Sequence, residues 1–108
     1  MAQYMLQFSY TADAWAALIK NPVDRSSGIA ALCKKLGSKF VSLHYTMGEH
    51  DGVAILDAPD ETTANAIVLA AAAPGHLRNT RTTRLYTPTE MVEVLKKAQG
   101  AGYKAPQA

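Results

Sequence analysis

The chain has 108 residues, and its 11 basic and 9 acidic side chains leave a formal charge of +2 with the histidines neutral. This length suits one domain with a continuous core, which we expect over residues 1–98 with a flexible tail over residues 99–108. The charge is too small and too scattered for a nucleic-acid-binding surface, because the basic clusters are only Lys34-Lys35 and Lys96-Lys97. The composition therefore excludes nucleic acid as a partner.

The amino-terminal segment lacks the charged head and apolar run of a signal peptide. No apolar stretch approaches the roughly 20 residues needed to cross a bilayer. Cys33 is the single cysteine, and its helical spacing with Ile29, Leu32 and Leu36 predicts a buried thiol rather than a reactive one. The sequence accordingly predicts a cytoplasmic protein that does not bind a membrane.

The first predicted element is a half-buried strand over residues 3–10, where side chains alternate with the period of two of a pleated strand. Thr11 or Asp13 is placed to cap the short helix that follows. This helix carries Trp15, either as an apolar anchor or at the mouth of a pocket. Pro22 ends the helix because proline disfavours helical backbone in the residue before it.

A second helix is predicted over about residues 24–36, with an apolar stripe at i, i+3, i+4 and i+7 and Gly37 at its end. Residues 39–57 then form a hairpin, since two alternating segments flank a glycine-containing turn. At this turn Gly48, His50 and Asp51 have a structural role, with the Asp51 carboxylate accepting backbone N–H groups of its own turn. A catalytic His50–Asp51 pair is the alternative, although adjacent residues of an extended segment point to opposite sides.

Helix, strand and helix complete the chain. Asp60 opens a helix whose alanine run stops at Pro74, and these small side chains favour close packing on a sheet. Residues 77–86 are rich in threonine and predict a strand. Thr87 and Glu90 form a capping box for the last helix. The apolar face of that helix consists of Met91, Val94, Leu95 and Ala98.

The turn Met47-Gly48-Glu49-His50-Asp51, followed by Val53-Ala54-Ile55, resembles the GYD-domain family, which is named for glycine, tyrosine and aspartate at this position. His50 stands where the family has tyrosine. The resemblance covers roughly residues 3 to 97 and includes three further segments: Leu36-Gly37-Ser38-Lys39, Asp57-Ala58-Pro59-Asp60, and Thr82-Thr83-Arg84 with Tyr86-Thr87-Pro88. It implies a ferredoxin-like domain of the dimeric α/β-barrel type and no assigned reaction.

The order β, α, β, β, α, β, α predicts an α+β fold with a four-stranded antiparallel sheet and helices on one face. If the more apolar side of each strand meets the helices, the other face is bare. The resemblance implies that two bare faces pack in a homodimer around a pocket. The expected residues of the bare face are Met5, Gln7, Ser9, Phe40, Ser42, His44, Thr46, Ala54, Leu56, Thr80, Thr82, Arg84 and Tyr86.

The predicted ligand-binding set on this face is Gln7, Ser42, His44, Thr82 and Arg84. His44 is the candidate catalytic residue, because imidazole acts as an acid, a base or an axial ligand near neutral pH; a histidine hydrogen-bonded at an interface is the alternative. Arg84 either binds an anionic ligand or pairs with an acidic neighbour. No metal-ligand spacing is present, so no metal or cofactor is predicted, but His44 leaves a haem ligand open.

Three functions fit these patterns. The first is a homo-oligomeric module that binds a small, partly apolar molecule between facing sheets. The second is a cofactor-independent oxygenase or isomerase of the same barrel type, with His44 as the base and Arg84 or a threonine stabilising an oxyanion. The third is assembly alone. A cavity that touches His44 would distinguish the first two from the third.

Overall fold

The computed structural model describes residues 1–106, and the predicted order of elements is confirmed within them. One antiparallel sheet has the strand order β2-β3-β1-β4. The element bounds are β1 Ala2–Tyr10, α1 Ala12–Lys20, α2 Ser26–Lys35, β2 Lys39–Tyr45, β3 Gly52–Ala58, α3 Glu61–Ala72, β4 Leu77–Leu85 and α4 Pro88–Gln99. This is an α+β, ferredoxin-like fold of the dimeric α/β-barrel type, as predicted. Residues 107 and 108 of the predicted tail lie outside the described residues.

Short-range hydrogen bonds set the starts of three helices. Thr11, rather than Asp13, caps α1, since its Oγ1 accepts a hydrogen bond from the Ala14 N–H at 3.1 Å. Asp60 caps α3 in the same way through the Thr63 N–H at 2.8 Å. The capping box of α4 is also confirmed, because Thr87 and Glu90 accept each other's backbone N–H. These caps satisfy donors that a helix start otherwise leaves free.

The main core lies between one face of the sheet and the helices α2 and α3. Tyr4, Leu6 and Leu56 pack from the strands against Cys33 and Ile67 from the helices. Cys33 is fully buried, as its spacing predicted, and burial raises the pKa of its thiol. The side chain is thus a small apolar core residue in its protonated form.

An aromatic cluster anchors α1 at one end of the sheet. Phe8 and Tyr10 of β1 pack with Trp15 of α1, and the Tyr10 and Trp15 ring centroids are 5.1 Å apart in an edge-on arrangement. Tyr45 from β2 completes the cluster, with its hydroxyl 3.2 Å from that of Tyr10. Edge-on packing of this kind is favourable for aromatic rings and holds α1 against the strands.

Strand β2 contains a bulge that changes which side chains face the helices. Phe40 lies opposite Leu56, whereas Ser42 lies opposite Ile55, so Val41 is an additional residue. Phe40 consequently faces the helices. Leu56 also faces them, because it pairs with Tyr4 of β1, and it is fully buried. The prediction that Phe40 and Leu56 lie on the bare face was therefore wrong, as it was for Ala54, which pairs with Leu6.

Helix α4 stands apart from this core. None of its residues is buried, and it has no extensive contact with another element. Its apolar side chains are correspondingly open, with Met91 40% and Leu95 59% exposed. Within residues 1–106, none of the helices combines the length and apolar character that crossing a bilayer demands.

Candidate functional site

The bare face of the sheet consists of three rows of side chains that run across the strands. The middle row is Ser42, Ile55, Met5 and Thr83. The rows on either side are His44, Val53, Gln7 and Arg81, and Lys39, Asp57, Gln3 and Leu85. Helices α2 and α3 pack on the other face, so the apolar side chains of these rows are only half-buried. The face combines apolar and hydrogen-bonding groups, as ligand sites and interfaces do.

The register brings together only part of the predicted ligand-binding set. Gln7, Ser42 and His44 lie on the bare face, as expected from their strands. Arg84 and Thr82 do not, because they pair with Tyr4 and Leu6, and directly paired residues share a face of the sheet. The two side chains therefore lie on the helix side, and the prediction of one joint site was wrong. Arg81 and Thr83 occupy the bare face of β4 instead.

Arg84 forms a link between β4 and α4. Its Nη2 donates to Glu90 Oε2 at 2.9 Å, and its guanidinium lies 4.3 Å from the ring centroid of Tyr86. The pKa of the Glu90 carboxyl is lowered by the backbone N–H of Thr87 and then by Arg84. Of the two roles considered for Arg84, the geometry matches pairing with an acidic neighbour.

His44 is exposed and has no catalytic partner on its face. Arg81 lies in the same row but on the opposite edge strand. Three strand spacings separate His44 from Arg81, which corresponds to about 14 Å. Asp57 also lies on this face. It is four residues along β3 from Val53, the partner of His44, which places it about 13 Å from that position. Within residues 1–106, no three His, Cys, Asp or Glu side chains lie together as a metal site. Neither Arg81 nor Asp57 is therefore placed to act together with the His44 ring.

The carboxylate of Asp51 joins three elements at the hairpin turn. Its Oδ2 accepts the Tyr10 backbone N–H at 2.9 Å and the Trp15 indole N–H at 3.2 Å, and the Asp51 N–H donates to the Phe8 carbonyl. The expected donors were those of its own turn; there the Gly48 N–H donates instead to the His50 carbonyl. Asp51 thus binds the turn to β1 and α1. Trp15 both anchors α1 and borders an open surface pocket of about 310 Å³.

A cavity of about 300 Å³ lies on the other side of the sheet, between α2, α3 and the strands β1 and β4. We name it the helix-side cavity. Its walls are mainly apolar, and the side chains that form them include Leu6, Phe8, Ile29, Leu32, Ile67 and Val68. This volume is at the lower end of the range for small-molecule pockets. The cavity is partly open to solvent and is large enough for a small organic ligand.

The polar residues that border the helix-side cavity are neutral or basic. Arg25 and His76 lie at its border, and no Asp or Glu does. Arg81 also borders the cavity at the edge of the sheet, although the register directs its side chain to the bare face. Arg25 and Arg81 form no ion pair with a carboxylate anywhere in residues 1–106. The cavity thus has apolar walls and a positive border.

Sequence reasoning missed this cavity. Gly28 of α2 and Ala70 and Ala71 of α3 border it, so small residues on two neighbouring helices were the available signal. The alanine run was interpreted as a surface for close packing on the sheet. Small side chains on the two helices instead leave space unfilled between them.

The fold defines a small ferredoxin-like protein of the dimeric α/β-barrel type. The sequence profile of the GYD domain matches residues 4–95. The chain therefore belongs to the GYD domain family. A comparison with functionally curated proteins yields no significant match.

Solved structures with a similar fold have little sequence identity to this chain. MtbAldR of Mycobacterium tuberculosis is 12% identical with a TM-score of 0.58, over 80% of this chain and 53% of its own, so this chain spans about half the length of MtbAldR. TTHA0845 from Thermus thermophilus is 12% identical with a TM-score of 0.52, and the match covers 81% of this chain and 95% of TTHA0845. The transcriptional regulator NMB0573 of Neisseria meningitidis, in its complex with L-Met, is 15% identical with a TM-score of 0.49, and the match covers 81% of this chain and 51% of NMB0573. These likenesses concern the fold.

Proposed function

We propose that this protein is a homodimeric small-molecule-binding module whose ligand occupies the helix-side cavity. The observation that carries the proposal is the cavity itself, with a volume of about 300 Å³ and apolar walls. A hydrophobic space that the chain leaves unfilled, next to a closely packed core, is the usual form of a ligand site.

The bare face of the sheet supports self-association. Met5, Val53, Ile55 and Leu85 leave apolar surface open there, and Gln7, Ser42 and Thr83 supply hydrogen-bonding groups among them. A contiguous apolar patch is costly in water, and a second copy offers a complementary surface through two-fold symmetry. In this arrangement the two sheets are the inner layers and the helices, with their cavities, face outward.

A second candidate site is the space between the facing sheets, near Gln7, Ser42 and His44. Its support is the row that places Gln7 and His44 on either side of Val53. An oxygenase or isomerase site there has less support, because His44 is far from Arg81 and Asp57, and Arg84 lies on the opposite face. Binding, rather than catalysis, is the function that these positions favour.

An uncharged fluorescent probe, N-phenyl-1-naphthylamine, tests the helix-side cavity by titration of the full chain. Ala71→Phe fills the cavity and should weaken binding at least about tenfold. Ala66→Phe is the matched control, since Ala66 is exposed on the same helix and does not border the cavity. Equal affinity of both variants and the wild type would contradict the proposed site.

Gly28→Leu provides a second filling variant in case Ala71→Phe lowers stability. The atoms nearest to a Cβ at Gly28 would be those of the Arg25 guanidinium, at 3.7 Å from Nη2, which is ordinary contact distance. Leucine also favours helix more than glycine does, so this variant should fold. It should weaken probe binding as Ala71→Phe does, and a melting curve confirms that each variant is folded.

A further inference from the structure

We infer that the ligand of the helix-side cavity is an amphipathic acid, with its apolar body inside the cavity and its anionic group at the border near Arg25 and His76. This inference rests on the proposed function and adds the chemical class of the ligand. The observations that carry it are the composition of the border, the position of the Arg25 guanidinium and the absence of a competing carboxylate.

The Arg25 guanidinium lies at the border of the cavity, next to Gly28. The position of a Cβ built on Gly28, which borders the cavity, is 3.7 Å from Arg25 Nη2 and 3.9 Å from Nη1. Tyr10 of β1 borders the same cavity. The Arg25 guanidinium therefore lies beside the first turn of α2 at the border of the cavity, where it can meet the polar end of a ligand.

The carboxylate that is adjacent to Arg25 in sequence has other partners. Asp24 Oδ1 accepts the backbone N–H of Ser26 at 2.8 Å and also accepts the Ser26 hydroxyl. It thereby satisfies the start of α2 and forms no ion pair with Arg25. The border of the cavity contains no Asp or Glu, so the donors of Arg25 are available to an incoming anion.

A cavity with apolar walls and a positive border favours a ligand that has an apolar body and a negatively charged end. A carboxylate or sulfonate accepts charge-assisted hydrogen bonds from a guanidinium fork, which are stronger than those between neutral groups. The apolar body displaces water from Leu32, Ile67 and Val68. A strongly polar anion such as inorganic phosphate would leave these walls unfilled and should bind weakly.

A matched pair of probes tests the charge separately from the cavity. The anionic 1-anilinonaphthalene-8-sulfonate and the uncharged N-phenyl-1-naphthylamine share an apolar ring body, and both fluoresce when buried. We expect wild-type protein to bind the anion more tightly. Arg25→Met, which keeps the apolar stem, should weaken binding of the anion about fivefold to tenfold and leave the uncharged probe within about twofold.

Lys35→Met is the matched control, because Lys35 carries the same charge, is exposed in α2 and does not border the cavity. It should change neither affinity. Octanoate should displace the anionic probe in wild-type protein more effectively than 1-octanol does, and Arg25→Met should remove that difference. Equal effects of Arg25→Met and Lys35→Met, or equal displacement by the acid and the alcohol, would overturn the inference while the proposed function stands.

Two other outcomes bear on the site itself. If neither probe binds wild-type protein, or if the cavity-filling variants change nothing, the proposed function fails together with the inference. The apolar face of α4 in a second copy is a rival occupant of the cavity. Recovery of probe binding only in Leu95→Glu, which places a charge on that face, would identify α4 as the occupant and would overturn both.

Discussion

At the scale of single residues, Asp51 shows how one carboxylate holds the turn, β1 and α1 together. The main-chain N–H of Tyr10 and the indole N–H of Trp15 both depend on its Oδ2. Asp51→Ala leaves these partly buried donors without an acceptor and should lower the free energy of unfolding by about 1 to 3 kcal/mol. Urea denaturation followed by Trp15 fluorescence measures the loss.

Asp51→Asn keeps a carbonyl oxygen at the same place and should lose less stability than Asp51→Ala. Glu49→Ala, in the same turn but exposed, should have no measurable effect. If Asp51→Ala leaves the urea midpoint unchanged, the hydrogen bonds to Tyr10 and Trp15 do not contribute to stability.

Gly52 is required for close packing of Phe8 on β3. A Cβ at Gly52 would overlap the Phe8 ring, so Gly52→Ala should lower the free energy of unfolding by about 1 to 3 kcal/mol, as overpacked cores do. Gly48→Ala is the control, since its Cβ would meet only the Thr46 carbonyl at 3.9 Å. Adding Phe8→Leu to Gly52→Ala should restore part of the stability, and urea titrations compare the three variants with wild type.

Tyr10 makes stability sensitive to alkaline pH. Burial, followed by the hydrogen bond with Tyr45, raises the pKa of Tyr10 far above its ordinary value of 10.0. The folded state thus holds the phenol proton more tightly than the unfolded chain does. The contribution of Tyr10 to the free energy of unfolding is complete below the pKa that Tyr10 has in the unfolded chain. It is lost as the pH rises from that value towards the higher pKa that Tyr10 has in the folded protein.

Urea midpoints from about pH 9 to about pH 11 measure this dependence. The wild-type midpoint should fall more steeply with pH than that of Tyr10→Phe, which cannot ionise. Tyr86→Phe, at an exposed tyrosine, should keep the wild-type slope. Identical slopes for wild type and Tyr10→Phe would show that Tyr10 does not retain its proton.

At the scale of elements, α1 and α4 have equivalent caps but different packing. Thr11 and Thr87 each accept a backbone N–H from the first turn of their helix. Of the two, only α1 packs apolar side chains on the strands, by way of Trp15 and the aromatic cluster, whereas α4 is linked to β4 through the Glu90–Arg84 ion pair. Replacing each capping threonine by alanine therefore distinguishes a loss of stability confined to one helix from a loss that affects the whole fold.

Thr11→Ala should lower the global free energy of unfolding by about 1 kcal/mol. Thr87→Ala should leave the urea midpoint unchanged and speed amide hydrogen exchange within α4 severalfold, because loss of about 1 kcal/mol in a helix without core contacts is a local effect. A lower global stability of Thr87→Ala would mean that α4 packs on a surface when in solution, and a second copy would be the first surface to test.

At the scale of the whole molecule, the chain is more extended than its length requires. Its radius of gyration is 17.5 Å, whereas a compact domain of this length has about 13 Å. Helix α4 projects from the sheet, and the bare face has no covering layer of its own helices. Both features leave apolar surface open, which favours association with a second copy.

We expect a dimer by light scattering at micromolar concentration. Ile55→Asp, in the middle row of the bare face, would bury an unpaired carboxylate in the interface at a cost of several kcal/mol and should yield monomers. Leu69→Asp is the control, since Leu69 is 69% exposed on α3, and it should remain dimeric. A monomer mass for wild type would rule out the dimer.

The sequence by itself determined the features that depend on near neighbours along the chain. The order of elements, the caps at Asp60 and Thr87, the buried Cys33 and the turn before Gly52 follow from local spacing and from backbone preferences, whereas the choice of Thr11 over Asp13 as the cap of α1 came from the structure. They were predicted because each requires only a few consecutive residues to adopt one conformation.

Only the tertiary structure decided which side chains share a surface. Thr82 and Arg84 were assigned to the bare face because neither side of β4 is clearly apolar, and pairing with Tyr4 and Leu6 directs them to the helices. The bulge at Val41 reverses the alternation of β2 without a mark in its hydrophobic pattern. The helix-side cavity depends on the distance between α2 and α3, which no single segment encodes. Register and interhelical spacing arise from contacts between residues far apart in sequence, so periodicity along one strand or helix leaves them undetermined.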